Sequence, residues 1–363
     1  MTEQEHQEVL ESLIEVFADR VKQPPLEEGS GSENALASVL PTNAEEVGRL
    51  AAVAARHRVP LIPSGGGTSL EPRATEGGIL VRFDMMRGLR SPSSGEPWIE
   101  AEPGVTWLQL EDDLRLSGRG LVVYPTSAPR ATVGGWLARD RLGVGSFEYG
   151  WLRENVISAS VVLVGGERRE VTGEELGPFF APGSAAGIVV GARLETRRAD
   201  ADVPFAASFA DATDLARAVS DVAGSSVPLW HLAFLNSAMS HARALGEDYL
   251  LFGAYPRERE TKIASPLREA VEASSGRVLA VAEAYRVWGE RFFPVTPSVL
   301  PSTLANVRRR LISVEDILKA LKDAAGSDAL QGTVARSGEV LLLTMEGGED
   351  PAQSGVGEEE GKR

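Results

Sequence analysis

The 363-residue chain contains no cysteine. That excludes disulfides, thiolate nucleophiles, Cys-ligated zinc and Cys-ligated iron–sulfur clusters together, and it fits a reducing cytoplasm. Long apolar runs are also missing. Stretches such as VVLV at 161–164 fall far short of the roughly 20 residues that span a bilayer. Positive charge is scarce: Lys and Arg number 37 against 52 Asp and Glu, a formal net charge of −15. So acidic a surface repels phosphate backbones and anionic lipid, which argues against nucleic acid as a partner. Two phosphate-binding signatures are absent as well. No G-x-x-x-x-G-K-[ST] loop occurs, and no G-x-G-x-x-G opens a helix after a strand.

What is present is ordinary globular composition, 43% hydrophobic and 25% charged, in a chain long enough for two cored domains. The opening MTEQEHQEVLESLIEVF is acidic and amphipathic, unlike a signal peptide. Residues 1–25 predict one helix closed by Pro24-Pro25, followed by the linker LEEGSGSEN. The final EGGEDPAQSGVGEEEGKR lacks periodicity and reads as a disordered tail. The expected division is a helix and linker over 1–34, a first domain over 35–200, a second over 201–346 and a tail over 347–363. A soluble, cytoplasmic protein is expected, membrane-associated only through a partner.

Thr42-Asn43-Ala44-Glu45 reads as a capping box opening a helix. The strand PLIP then leads into Ser64-Gly65-Gly66-Gly67-Thr68-Ser69-Leu70, and GGILVRFD is the next strand. Three consecutive glycines cost backbone entropy. Such a run is explained if several N–H groups converge on something that tolerates no side chain, an anion-binding nest that needs no Lys or Arg. The alternative is a plain inter-strand loop.

Further on, Thr106 caps a helix with Gln109 at the reciprocal position. The segment 126–156 is glycine-rich, aperiodic and holds Trp, Phe and Tyr, which points to function. SASVVLVGG and ERREVTG predict a hairpin. After residue 200, VPFAASFA, a helix from Asp211 and VPLWHLAFL form a β-α-β unit. DYLLFGAYP, a helix over 257–275 and GRVLAVAEAY resemble a second. A small antiparallel sheet with helices on one side is expected, completed by the helix VEDILKALKDAA and the hairpin LQGTVARSGEVLLLTME. The fold class is α+β. The clusters Arg308-Arg309-Arg310 and Glu358-Glu359-Glu360 read as solvated charge.

The ordered series PSGGGTSL, GGILVRFDMMRGL, EPGVTW, PTSAPRATVGG, GVGSFEYG, RENV and PGSAAGIV covers about residues 35–197. It resembles the FAD-binding domain of the vanillyl-alcohol oxidase and FAD-linked oxidase superfamily, in the branch of glycolate oxidase flavin subunits and D-lactate dehydrogenases. The resemblance implies a two-subdomain FAD-binding domain followed by a smaller antiparallel-sheet α+β cap domain. It implies that Ser64, Gly65, Gly66, Gly67, Thr68 and Ser69 hold the FAD pyrophosphate. Pro125, Thr126, Ser127, Thr132, Gly134, Gly135, Gly143 and Ser146 would line the path of the pyrophosphate, ribityl chain and ring. Gly183, Gly187 and Ile188 would meet the adenine side. Thr68 stands where some members carry a flavin-attaching His, so non-covalent FAD is expected.

The implied chemistry is oxidation of a small 2-hydroxy acid such as glycolate or D-lactate, by hydride transfer to flavin N5. The segment RVWGERFFP resembles the family's W-x-x-R stretch, which makes Arg291 a candidate clamp for the substrate carboxylate. The alternative is a Trp/Phe core patch with a solvated arginine. His231, on VPLWHLAFL among apolar neighbours, is a candidate base or a structural residue. Full-length members of this branch are longer and end in a His-bearing segment and an F-D-P…N-P-G stretch, neither of which occurs here. In this the chain is similar to smaller flavin subunits that work beside a partner, here an iron–sulfur or other electron acceptor. The competing expectation is an accessory or degenerate flavin-binding subunit with no substrate of its own.

Overall fold

The computed structural model describes residues 2–23, 35–69, 77–92, 95–181, 183–199, 201–293, 306–324 and 328–346. The Pro24-Pro25 stop, the linker, Leu70, Glu71-Pro72-Arg73, Pro182, Pro294 and the tail lie outside the described residues.

Three sheets follow one another along the chain. The first contains β1 (Val21–Lys22), β2 (Ala37–Val39), β3 (Leu61–Ser64) and β4 (Ile79–Arg82) in the order β1-β2-β4-β3. Both β2 and β3 run parallel to β4, and the helix Ala44–His57 makes the β2-to-β3 crossover. Its cap lies one residue later than the sequence suggests. Asn43 is the N-cap and accepts from the Glu46 amide, because Glu46, not Glu45, reaches back to the Thr42 amide. The Arg20 guanidinium beside Glu46 holds that carboxyl down at about 2. The first helix spans only Glu3–Phe17: Ala18 takes a φ of 50° and the chain turns into β1. Val9, Leu13 and Phe17 pack with Val47, Leu50 and Ala54 of the second helix.

The second sheet comprises β5 (Leu89–Arg90), β6 (Trp98–Ala101), β7 (Arg119–Leu121), β8 (Val156–Leu163), β9 (Arg168–Val171) and β10 (Gly187–Arg198). Its order is β5-β6-β10-β8-β9, with β7 also on β10. The β8–β9 hairpin is the expected one. Thr106 accepts from the Gln109 amide and caps the helix Trp107–Arg115. The aperiodic stretch contains the short helices Val133–Leu137 and Ser146–Tyr149.

The third sheet is the largest, with β11 (Asp202–Phe209), β12 (His231–Leu235), β13 (Tyr249–Pro256), β14 (Arg277–Val278), β15 (Val307–Ser313), β16 (Ala329–Val334) and β17 (Glu339–Met345), all antiparallel. The order β14-β11-β13-β12-β16-β17-β15 interleaves the two β-α-β units. Two expectations are corrected here. LAVAEAY is largely helical, within the helix Val281–Gly289, which leaves β14 only two residues. Helices also cover both faces of the sheet. Leu215, Val219, Ile263, Leu267 and Ile317 pack on one face, while Met239, Ala284 and Val287 pack against Ala233, Leu235 and Phe252 on the other.

The second and third sheets are fastened by buried charge. Arg197 of β10 gives a two-pronged pair to Asp202 of β11, at 2.8 and 2.7 Å. Arg115 joins the same carboxylate at 2.7 Å. The Arg197 guanidinium also lies 3.6 Å from the Trp230 ring centroid. Burial alone would raise the Asp202 carboxyl; the two arginines override it and hold the group below its ordinary value.

Candidate functional site: a cleft between the sheets

The glycine run leaves the carboxyl end of β3, where open parallel sheets form crevices. Two of its glycines are small because another loop lies against them. A Cβ on Gly65 would stand 2.5 Å from Thr132 Oγ1, and one on Gly66 would stand 1.6 Å from the Arg130 carbonyl oxygen. Gly67 differs: its φ of 70° is left-handed, and no atom lies within 4 Å of its Cβ position. The run is thus wedged against the 130–135 loop at Gly65 and Gly66, and open at Gly67.

That second loop is tightly wound. The Ala128 amide donates to Pro125 O, and the Ala131 amide to Ser127 O at 2.8 Å. Thr132 then caps the helix Val133–Leu137. Together the loops border a cavity of about 530 Å³, within the ordinary range for ligand sites. Ser64 to Ser69, Pro125, Thr126, Ser127, Thr132, Gly134, Gly135, Gly183, Gly187 and Ile188 all line it. Gly183 has a φ of 71°, and a Cβ on Gly187 would stand 2.4 Å from Val162 O.

Four candidates lie elsewhere. Gly143 and Ser146 stand behind the wall. A Cβ on Gly143 would meet Tyr124 O at 2.2 Å, and the fully buried Ser146 hydroxyl accepts the Gly143 amide. Their small size serves packing. Arg291 does not line the cavity either. Its Nε donates to Tyr124 Oη and its Nη1 to Trp288 O, and its guanidinium lies 4.2 Å from the Phe292 ring centroid. His231 is fully buried beside Trp230, Trp288 and Phe252. The Gly145 amide donates to its Nδ1 at 3.3 Å, which places its proton on Nε2. Burial, helped by the charge of Arg291, pushes this imidazole down to about 3. The ring is neutral with its lone pair already used, the state of a structural histidine rather than a base.

The cavity also contains residues that the sequence reading missed. Leu341 and Leu343 of β17 and Arg309 of β15 line it from the third sheet, as do Trp136 of the short helix and Arg139 and Arg141 just after it. Arg309 belonged to a triplet read as solvated. The triplet is a strand: Arg308 and Arg310 are exposed and Arg309 is half-buried on the opposite face. Alternation was the available signal, obscured by three identical side chains.

Residues 35–172 match the family described as the FAD binding domain. This part of the chain is an FAD binding domain. Over 131 residues the chain is 33% identical to the mitochondrial D-lactate dehydrogenase [cytochrome] of Arabidopsis thaliana, covering 36% of this chain and 23% of that one. It is 26% identical over 229 residues to the glycolate oxidase subunit GlcD of Bacillus subtilis, covering 60% and 48%. The match thus spans less than half the length of either relative. In fold, the chain resembles an alkyldihydroxyacetonephosphate synthase at a TM-score of 0.77 and 18% identity, covering 95% of this chain and 81% of that one. The FAD domain's cleft suits its cofactor on physical grounds. No Asp or Glu lines it among the described residues, so no carboxylate there opposes a pyrophosphate, and Gly67 leaves main chain bare at its wall. Among the described residues no helix is long and apolar enough to cross a membrane.

Proposed function

We propose that the chain is an FAD-dependent oxidoreductase acting on a small 2-hydroxy acid. The observation that carries this reading is the cleft itself, with the glycine run at one wall and the third sheet's Arg309, Leu341 and Leu343 at another. Ser64 to Ser69 would hold the pyrophosphate. Pro125, Thr126, Ser127, Thr132, Gly134 and Gly135 would run beside the ribityl chain and ring, and Gly183, Gly187 and Ile188 beside the adenine. FAD, when bound, supplies an acceptor for the hydrogen and two electrons of an alcohol C–H. The protein's part is to orient the substrate, exclude water and fix its anionic end. Attachment is non-covalent in this reading, since no His, Tyr or Cys lines the cleft among the described residues.

One observation favours a second reading. No His, Asp, Glu, Lys or Tyr lines the cleft among the described residues, so none of these supplies an acceptor for the hydroxyl proton. An accessory flavin subunit, working with an electron-accepting partner chain, needs no such group. The purified full chain decides. Flavin absorbance released by acid, and bleached anaerobically by glycolate or D-lactate, is the outcome expected of the dehydrogenase. Bleaching only with a co-purifying chain selects the subunit reading, and a colourless folded protein rejects both.

A further inference from the structure

Thr126 borders the cleft, and its peptide is held from outside the FAD binding domain. The Phe293 amide donates to the Thr126 carbonyl oxygen at 3.0 Å. A trans peptide is planar, and its C=O and N–H point in opposite directions. With the Thr126 carbonyl turned toward Phe293, the Ser127 N–H of the same peptide faces the other way. Ser127 lines the cleft, and its amide donates to no group among the described residues. Backbone donors are obligatory hydrogen-bonding groups, so this one is free for a ligand.

Phe293 ends a strap, residues 290–293, that is fixed from behind at two carbonyls. Arg243 Nη1 donates to the Glu290 carbonyl oxygen, and Gln331 Nε2 donates to that of Arg291 at 3.0 Å. The two side chains also hold each other, Arg243 Nη2 donating to Gln331 Oε1 at 2.9 Å. The Arg243 guanidinium lies 5.2 Å from the Phe293 ring centroid. Gln331 is fully buried on β16, directly opposite Leu343 of β17, itself a cleft residue. Arg243 pairs with no carboxylate among the described residues, and burial pushes its guanidinium down to about 10. A buried cation with only neutral acceptors costs stability, and what this one fixes is the strap.

We infer that Gln331 and Arg243 are positioning residues for the cofactor wall. They hold the strap, the strap holds the Thr126–Ser127 peptide, and that peptide presents the Ser127 N–H to an acceptor atom of the flavin ring system. This rests on the placement of FAD in the cleft proposed above. Hydrogen bonds to the ring are among the protein's means of tuning a flavin's electronics. The third sheet therefore sets the cofactor's surroundings through two side chains that do not line the cleft.

The test uses the full chain with FAD bound. It reads the positions of the flavin's visible absorbance bands, which respond to hydrogen bonding at the ring, and the FAD affinity. Gln331→Leu is expected to shift the bands and weaken FAD binding roughly tenfold, the worth of one hydrogen bond. Gln331→Glu keeps the acceptor for Arg243 and loses the donor to the Arg291 carbonyl. A smaller shift in the same direction is expected, and this variant carries the test if Gln331→Leu does not fold. Ile263→Ala opens a cavity on the opposite face of the third sheet; it is expected to lower stability and leave the bands in place. Unmoved bands and affinity in folded Gln331 variants overturn the inference, as does an equal shift in Ile263→Ala. If the wild type holds FAD, either result sinks this inference alone. A wild type without FAD sinks the flavin reading together with it.

Discussion

The carbonyl oxygen of Arg130 occupies the place where a side chain on Gly66 would begin, 1.6 Å from the Cβ position. The contact is with backbone, so no rotamer change relieves it. Gly66→Ala is expected to push the glycine run off the 130–132 loop, costing about 3 kcal/mol and most of the FAD content. Gly67→Ala meets no atom within 4 Å and strains only a φ of 70°, so about 1 kcal/mol is expected. Urea unfolding with flavin quantitation checks both. Equal effects of the two substitutions would show that the wedge is not what holds the loop.

Arg291 joins the Trp288–Phe293 segment to Tyr124, and the Phe293 amide donates to Thr126 O. Arg291→Met keeps much of the packing and removes the bond to Tyr124 Oη. A stability loss of about 1–3 kcal/mol is expected, with FAD retained. The tightness of substrate-analogue binding should not move. A large rise in KM with stability intact would return Arg291 to the substrate site.

His231 makes stability depend on pH in a defined window. Its folded value is about 3 and its ordinary value 6.5. As pH falls below 6.5 the unfolded chain takes up a proton that the folded protein refuses, so stability is full above 6.5 and is lost progressively as pH falls toward 3. At pH 5 the loss is about 2 kcal/mol. Chemical denaturation at pH 7 and pH 5 measures it, and His231→Gln is expected to remove that share of the slope.

Asp202→Asn leaves Arg197 and Arg115 against a neutral amide at the join of the second and third sheets. A buried arginine stripped of its partner costs about 3–5 kcal/mol. The Asp202 carboxyl is held below 3.8, so this join weakens only as pH falls below that value toward the folded one. Thermal unfolding of the variant should show an early transition or a lower single one. An unchanged Tm would mean that the Trp230 stacking and the bonds to the Leu121 and Arg198 carbonyls secure Arg197 without Asp202.

Much of this was legible in sequence because the motifs are local. The glycine run, the Thr106 cap and the β8–β9 hairpin are each set by neighbours within a few positions, and the FAD-family series is a succession of such local segments. What was not legible depends on long-range approach. Gly143 looks like a ligand-facing glycine in sequence, and only the proximity of Tyr124 O makes it a packing glycine. Gly66 was expected to make room for phosphate, and it makes room for Arg130 instead. Arg309 was hidden because alternation cannot be seen in three identical residues. Arg291 and His231 were singled out by residue type, which says nothing of which wall a side chain stands behind.

The cleft takes its walls from distant parts of the chain: the glycine run early, Arg309, Leu341 and Leu343 near its close. Translation therefore delivers the first wall long before the last. Until β15 to β17 have emerged and paired, that side of the chamber stands open, and a nascent polypeptide displays the loops without the closure. Proteolytic removal of the hairpin of β16 and β17 would open the chamber while leaving every glycine of the loops in place.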